Sequence, residues 1–178
     1  MTTVRIATAA DIPAISAIYA HWVRTGTATF ELEPPSQAEM RDRFETITAS
    51  GYPYLVAEHG GQIAGYAYAN AYRPRPAYRF AVEDSIYVTP TIQRAGAGRL
   101  LLARLIEECT QRDYRQMIAV IGDSQQMPSI QLHRSLGFTF SGTLHSVGYK
   151  FGRWLDGVLM QRPLGPGDTA PPLDRREG

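Results

Sequence analysis

Apolar positions recur at helical spacing in three stretches of the chain and at strand spacing in several others. Ile12, Ile15, Ile18, Tyr19 and Trp22 lie three or four residues apart, which predicts an amphipathic helix reaching about Val23, with Thr8 or Asp11 as its cap. Met40, Phe44 and Ile47 define one face of a second helix that starts after Ser36 and ends near Gly51. Leu101, Leu102, Leu105, Ile106 and Cys109 mark the buried side of a third. Val4-Arg5-Ile6 reads as a short strand, and residues 54–58 and 62–72 form a hairpin around Gly60-Gly61. Arg73-Pro74-Arg75-Pro76 interrupts the ladder, and another strand follows over residues 79–88, closed by Pro90. Residues 116–121 are almost wholly apolar, which suits a strand buried on both faces. A short helix over 129–136, ended by Gly137, and strands over 138–149 and 154–162 complete the pattern.

The predicted order is β-α-α-β-β-β-α-β-α-β-β: an α/β domain with a mixed, mostly antiparallel central sheet and helices on both faces. It occupies residues 1–162. Residues 163–178 are rich in proline, glycine and charge, and they read as a disordered tail. With 178 residues, of which 44% are hydrophobic, the chain can bury one core. A formal net charge of +1 and the lack of a basic stripe argue against nucleic acid as a partner. Lys150 is the only lysine, so nearly all the positive charge is arginine, which suits forked contacts to carboxylates and phosphates. Cys109 is the only cysteine, which excludes an intrachain disulfide and a cysteine-based zinc site, and no metal is expected. The first residues lack the apolar run of a signal peptide, and nothing approaches a membrane span, so a soluble, cytoplasmic protein is expected.

The densest chemical signal is Gln93-Arg94-Ala95-Gly96-Ala97-Gly98-Arg99, between a strand and a helix. A helix start offers unpaired N–H groups and partial positive charge, glycines let an anion approach the backbone, and Arg94 and Arg99 add charge. A phosphate site follows. It is not a P-loop, because Arg99 and Leu100 stand where Lys and Ser/Thr are needed, and its mid-chain position does not fit a dinucleotide fold.

The segment Gln93 to Gly98 matches the Q/R-x-x-G-x-G/A motif of the GCN5-related N-acetyltransferases, and the similarity extends over residues 4–162. Residues 82–88 (VEDSIYV), 129–138 (SIQLHRSLGF) and 148–156 (GYKFGRWLD) resemble one branch, the phosphinothricin and methionine sulfone/sulfoximine N-acetyltransferases. The resemblance implies acetyl-CoA as co-substrate and a homodimer. It also implies cofactor contacts from Ile86, Tyr87 and Val88, then Arg94, Ala95, Gly96, Ala97, Gly98 and Arg99. The family carries an asparagine a few residues before the position of Ser129. Gln126 stands there and offers similar hydrogen bonds on a longer stem.

Acetylating an amine requires removal of a proton from an ammonium group, and Glu83, on the strand leading to the cofactor, is the expected base. His133 lies where many of these enzymes carry a tyrosine near the thioester sulfur, and it is the expected acid for the leaving thiolate. The resemblance puts the acceptor at Pro76, Ala77 and Tyr78, and charge adds Arg75 and Arg79 as partners for its carboxylate or oxygenated head. The function expected is transfer of acetyl to the α-amine of a small amino-acid-like acceptor. A polyamine, an aminoglycoside or a protein N-terminus as acceptor, and a non-catalytic acyl-CoA sensor, are the alternatives. An arginine-rich loop disfavours cationic acceptors, and the presence of both Glu83 and His133 disfavours the sensor.

Overall fold

The computed structural model describes residues 1–92 and 96–172. Seven strands and four helices follow the predicted order: β1 (Thr2–Ile6), α1 (Ile12–Thr25), α2 (Gln37–Ala49), β2 (Tyr54–His59), β3 (Gln62–Ala71), β4 (Ala81–Val88), α3 (Ala97–Gln111), β5 (Gln116–Gly122), α4 (Met127–Ser135), β6 (Thr139–Lys150) and β7 (Arg153–Pro163). The Ser36 hydroxyl accepts a hydrogen bond from the Glu39 N–H, the cap foreseen for α2. Pro76–Tyr78 forms a turn of 3-10 helix where the prolines break the ladder. No helix among the described residues is long and apolar enough to cross a membrane.

The sheet order is β1-β2-β3-β4-β5-β7-β6, and only β4 and β5 run parallel. The helices cover opposite faces. Ile12, Ile15, Ile18 and Tyr19 of α1 and Met40, Phe44 and Ile47 of α2 bury against Tyr54, Val56 and Tyr66. On the other face Leu101, Leu102, Leu105 and Cys109 of α3 pack on Leu55, Ala67, Ala69, Val82, Met117 and Ala119. Small residues in β3 and β4 let α3 lie close to the sheet. The expectation that residues 116–121 are buried on both faces is corrected: Met117, Ala119 and Ile121 are buried, whereas Val120 is 44% exposed, because α1 and α2 do not extend over β5.

The parallel pairing is short. Ala81 to Asp84 face Gln116 to Ala119, and beyond that pair the two strands part. β4 remains zipped to β3 as far as Val88 opposite Gly65, while β5 remains paired with β7 as far as Gly122 opposite Gly157. Each strand therefore follows its outer neighbour, and a wedge opens in the middle of the sheet.

The expected tail boundary is also corrected. Pro163 belongs to β7, Leu164 is fully buried, and its N–H donates to the Arg115 carbonyl at 2.9 Å. The Arg115 guanidinium is itself buried, paired with Asp113 at 3.1 Å and donating to the carbonyls of Gly167, Ala170 and Pro171. One leucine and one buried arginine thus hold a proline- and glycine-rich segment whose composition alone suggested disorder; residues 173–178 lie outside the described residues.

Arg115→Ala should destabilise the fold by about 2–3 kcal/mol, the usual cost of losing hydrogen bonds to a charged group. It should also speed proteolysis within residues 165–172. Denaturant unfolding with an unchanged midpoint would show that the C-terminal segment is held by something else.

Candidate active site

The wedge is a groove of ≈ 490 Å³ lined by Trp22, Ala28, Ile86, Tyr87, Val88, Gln126, Ser129 and Leu132. It narrows to a blind end of ≈ 60 Å³, where Asp84, Ala119, Ile121, Gly122 and His133 join Ala28, Ile86, Tyr87, Gln126 and Ser129. The Trp22 indole N–H donates to the Val88 carbonyl at 2.9 Å, so α1 holds the outer end of β4 away from β5. At the open end stands the start of α3. Gly96 adopts φ +74, a left-handed conformation that favours glycine, and turns the chain so that the first helical N–H groups come free. Gly98 is different: a Cβ there would meet Leu132 and Val88 at an ordinary 3.5 Å.

Of the expected cofactor residues, Ile86, Tyr87, Val88 and Gln126 line this groove, and Gly96, Ala97 and Gly98 stand at the start of α3. Arg99 is exposed and donates to the Ser135 hydroxyl at 2.7 Å. Arg94 and Ala95 lie outside the described residues. Gln126 donates through its amide to the Thr27 hydroxyl at 3.1 Å, so it helps to tie down the loop of residues 26–31.

That loop forms the inner wall. The Thr27 hydroxyl also donates to Asp123 Oδ2 at 2.8 Å, and Arg153 grips the same carboxylate. Burial alone would raise the Asp123 pKa; Arg153, the Gln125 N–H and Thr27 hold it below the ordinary range. On the other side Lys150 is buried, its ammonium donating to the Thr29 carbonyl at 2.9 Å. Burial pulls the Lys150 pKa down, and Glu31 opposes that shift. The Tyr19 hydroxyl bonds both Thr29 and Glu31, and Glu31 pairs with Arg43 of α2. Phe30 presses on Gly122 and Gly148, where an added Cβ would come within 2.9 and 2.6 Å of its ring.

Strand alternation sends Glu83 and Asp84 to opposite faces of the sheet. Glu83 shares a face with Ser85 and Tyr87 and lies opposite Asn70 in the β3 register; Tyr68, opposite Ser85, bonds its hydroxyl. The Glu83 pKa is raised by burial and by the neighbouring Asp84 charge, with Arg73 partly offsetting both. Asp84 points the other way, and His133 Nε2 donates to its Oδ2 at 3.0 Å. His133 is 1% exposed, its Nδ1 donates to the Ser129 carbonyl at 2.7 Å, and its ring meets Phe138 edge-on. Burial opposes the imidazolium, but the Asp84 carboxylate and the Ser129 carbonyl outweigh it and raise the His133 pKa. Glu83 and His133 therefore lie on opposite sides of β4. His133 reaches the blind end of the groove with both nitrogens engaged, and its carboxylate partner is Asp84.

In the acceptor loop, Arg75 and Tyr78 line a hollow of ≈ 280 Å³ with Arg73 and Pro74. Pro76 and Ala77 shape the turn behind it. Arg79 lies over the Phe80 ring at 4.6 Å and donates to the Pro76 carbonyl at 3.3 Å, turned from that hollow by the turn's geometry. Sequence reasoning missed Tyr68, Asn70 and Asp84, and it did not single out Arg73 or Lys150. Arg73 alone had a visible signal, since it shares the loop with Arg75.

A sheet parted at its centre, with bare strand edges along the gap and a glycine-led helix start at its mouth, fits an acyl-CoA. The strand edges match the amides of a pantetheine arm and the helix start matches a diphosphate. Such a site defines an acyl-CoA-dependent transferase. The model of the acetyltransferase (GNAT) domain matches residues 4–159, and the chain belongs to that family. It is 55% identical to a phosphinothricin N-acetyltransferase of Alcaligenes faecalis over 96% of this chain and 86% of that protein. It is 41% identical to the L-methionine sulfoximine/L-methionine sulfone acetyltransferase of Pseudomonas aeruginosa, over 95% of this chain and 98% of that protein. The crystal structure of a GNAT superfamily phosphinothricin acetyltransferase from Sinorhizobium meliloti in complex with AcCoA superposes with a TM-score of 0.95. Its sequence is 51% identical, and the match covers 98% of this chain and 94% of that one.

Two glycines separate wall from mouth. Gly122→Ala, whose Cβ would stand 2.6 Å from the Thr27 carbonyl, should cost about 1–3 kcal/mol of stability. Gly98→Ala should leave thermal stability unchanged or slightly raised, because it places alanine in a helix. Equal melting temperatures for the two variants would contradict the wall geometry.

Proposed function

We propose that this chain is an acetyl-CoA-dependent N-acetyltransferase acting on the α-amine of a small amino acid with an oxidised sulfur or phosphorus head, such as methionine sulfone, methionine sulfoximine or phosphinothricin. The observation that carries the proposal is the wedge between β4 and β5, running from the α3 start to the point where Glu83 and Asp84 diverge. The activities for which the relatives are named supply the acceptor class.

In this scheme the N–H groups at Gly96, Ala97 and Gly98, with Arg94 and Arg99, hold the diphosphate. The edges of Ile86, Tyr87 and Val88 and the Gln126 amide orient the pantetheine arm. Bound acetyl-CoA supplies an acyl carbon activated by its thioester. Glu83 takes the proton of the incoming α-ammonium, and burial with the neighbouring Asp84 charge raises its pKa, which makes the carboxylate a stronger base. Arg73 and Arg75 face the acceptor carboxylate, in the forked contact that guanidinium favours. Transfer is direct, with both substrates bound together: the amine nitrogen bonds to the acyl carbon, the carbon–sulfur bond breaks, and coenzyme A leaves as its thiol with the proton that the nitrogen sheds. Cys109 is fully buried in the α3 core with its thiol pushed up to about 12, so it offers no thiolate for an acyl-enzyme.

A homodimer is part of the proposal. Phe140, Leu144, Val147, Tyr149, Phe151 and Trp154 stand exposed on β6, β7 and the turn between them, apolar surface at the sheet edge suited to a second copy. Cytoplasm is the proposed compartment, since acetyl-CoA is consumed.

Thiol release with acetyl-CoA should be fastest for methionine sulfone, methionine sulfoximine and phosphinothricin, and slow for a polyamine; a polyamine as the best acceptor would contradict the acceptor class. Glu83→Gln should lower kcat by about 10²–10⁴-fold while the acetyl-CoA affinity stays constant. Because the Glu83 pKa lies above 4.5, the wild-type rate should fall as pH drops through a value higher than that, and the variant should lose this limb. A variant with the same acid limb would assign the base elsewhere.

A further inference from the structure

Asp84 is the buried charge that the proposed chemistry leaves unused. Its side chain is 2% exposed, Oδ2 receives the His133 Nε2–H at 3.0 Å, and Oδ1 has no hydrogen-bond partner. A carboxylate oxygen kept from water without a donor is costly, by more than a neutral group would be. Asp84 is one of the residues that line the ≈ 60 Å³ space, and that space shares Ala28, Ile86, Tyr87, Gln126 and Ser129 with the larger groove. The Asp84–Ala119 pair is also the last rung of the β4–β5 ladder, so Asp84 sits at the apex of the wedge.

The pair with His133 fixes which way the acceptor faces. Both neighbours of the imidazole, the Ser129 carbonyl and Asp84 Oδ2, are acceptors, so both ring nitrogens carry hydrogen and both are committed. Ser129 and His133 lie one turn apart on α4, and Phe138 closes the ring's other side, so the imidazole cannot swing to serve Oδ1. The remaining donor must come from whatever fills the apex.

We propose that Asp84 is a cofactor-binding residue: Oδ1 at the apex of the wedge accepts a hydrogen bond from the amide N–H nearest the thioester of the pantetheine arm. This rests on the proposed function, in which the groove takes that arm. The contact gives the apex a polar stop. It sets how deep the arm travels, and so where the acyl carbon lies relative to Glu83 on the opposite face. His133 acts here through Asp84, as a positioning residue that locks the carboxylate rotamer.

Calorimetry on the full chain tests this with acetyl-CoA, with coenzyme A, and with the nucleotide half alone as an adenosine bisphosphate that lacks the pantetheine arm. Asp84→Ala should weaken acetyl-CoA and coenzyme A by about 10- to 100-fold, the effect of losing a charge-assisted hydrogen bond, and leave the nucleotide half unchanged. Asp84→Asn can donate to a neutral His133 and keep an uncharged oxygen toward the apex, so it should show a smaller loss with the same selectivity. Asp84→Asn also decides the matter if the alanine variant does not fold. Unchanged acetyl-CoA affinity in the folded variants would overturn the assignment, as would equal losses for all three ligands, which mark a purely structural role. Failure of the wild-type chain to bind acetyl-CoA would instead overturn the proposed function.

Discussion

Everything at the site depends on two strands that begin as neighbours and cannot stay so. A parallel pair buried in a sheet gains a hydrogen bond with nearly every residue it adds, so parting after Asp84 and Ala119 needs a cause. The cause is on both sides. β3 holds β4 to Val88, whose carbonyl is taken by Trp22, and β7 holds β5 to Gly122, which is crowded by Phe30 and the Thr27 carbonyl. Between the diverging strands sit Ala28 and Gln126, positioned by the loop that precedes α2 and by the start of α4. The outcome is a gap lined by backbone groups without strand partners, which is a binding surface because main-chain N–H and C=O groups need partners.

The polar side chains around the gap serve that opening in different ways. Lys150, Asp123 and Gln126 fasten one short loop from three directions, and each bond ends on Thr27 or Thr29. Burying a lone lysine is expensive. Here its cation meets a carbonyl and the Phe151 ring at 5.1 Å, so the cost is offset by fixing the inner wall. Glu83 and Asp84, adjacent in sequence, are divided by the sheet: one faces the acceptor loop and the other the apex, and their proximity raises the Glu83 pKa across the strand itself. In the proposed scheme, binding depth and proton removal fall to neighbouring residues of one strand.

Much of this was legible in the chain. The helices α1 and α3 declared themselves through apolar spacing, the hairpin through Gly60-Gly61, and the helix start at Gly96 through a motif whose spacing other phosphate loops do not share. What could not be read came from pairing across distance. Asn70 meets Glu83 only through the β3–β4 register, and Asp84 looks like one more polar residue in an alternating strand until α4 folds over it. Nothing local to Lys150 announces the Thr29 carbonyl that receives it. Composition misled at the C-terminus, where Leu164 and Arg115 order a segment rich in proline and glycine. Trp154, a residue type usually buried, is 64% exposed on β7.

Amide hydrogen exchange with and without acetyl-CoA examines the parted strands directly. Slowed exchange should concentrate at residues 86–88 and 97–99, with β1 and β2 unaffected, because β1 and β2 carry no main-chain groups facing the gap. Saturating acetyl-CoA that leaves those amides exchanging as before, or that protects a different part of the sheet, would contradict the claim that the arm lies between β4 and β5.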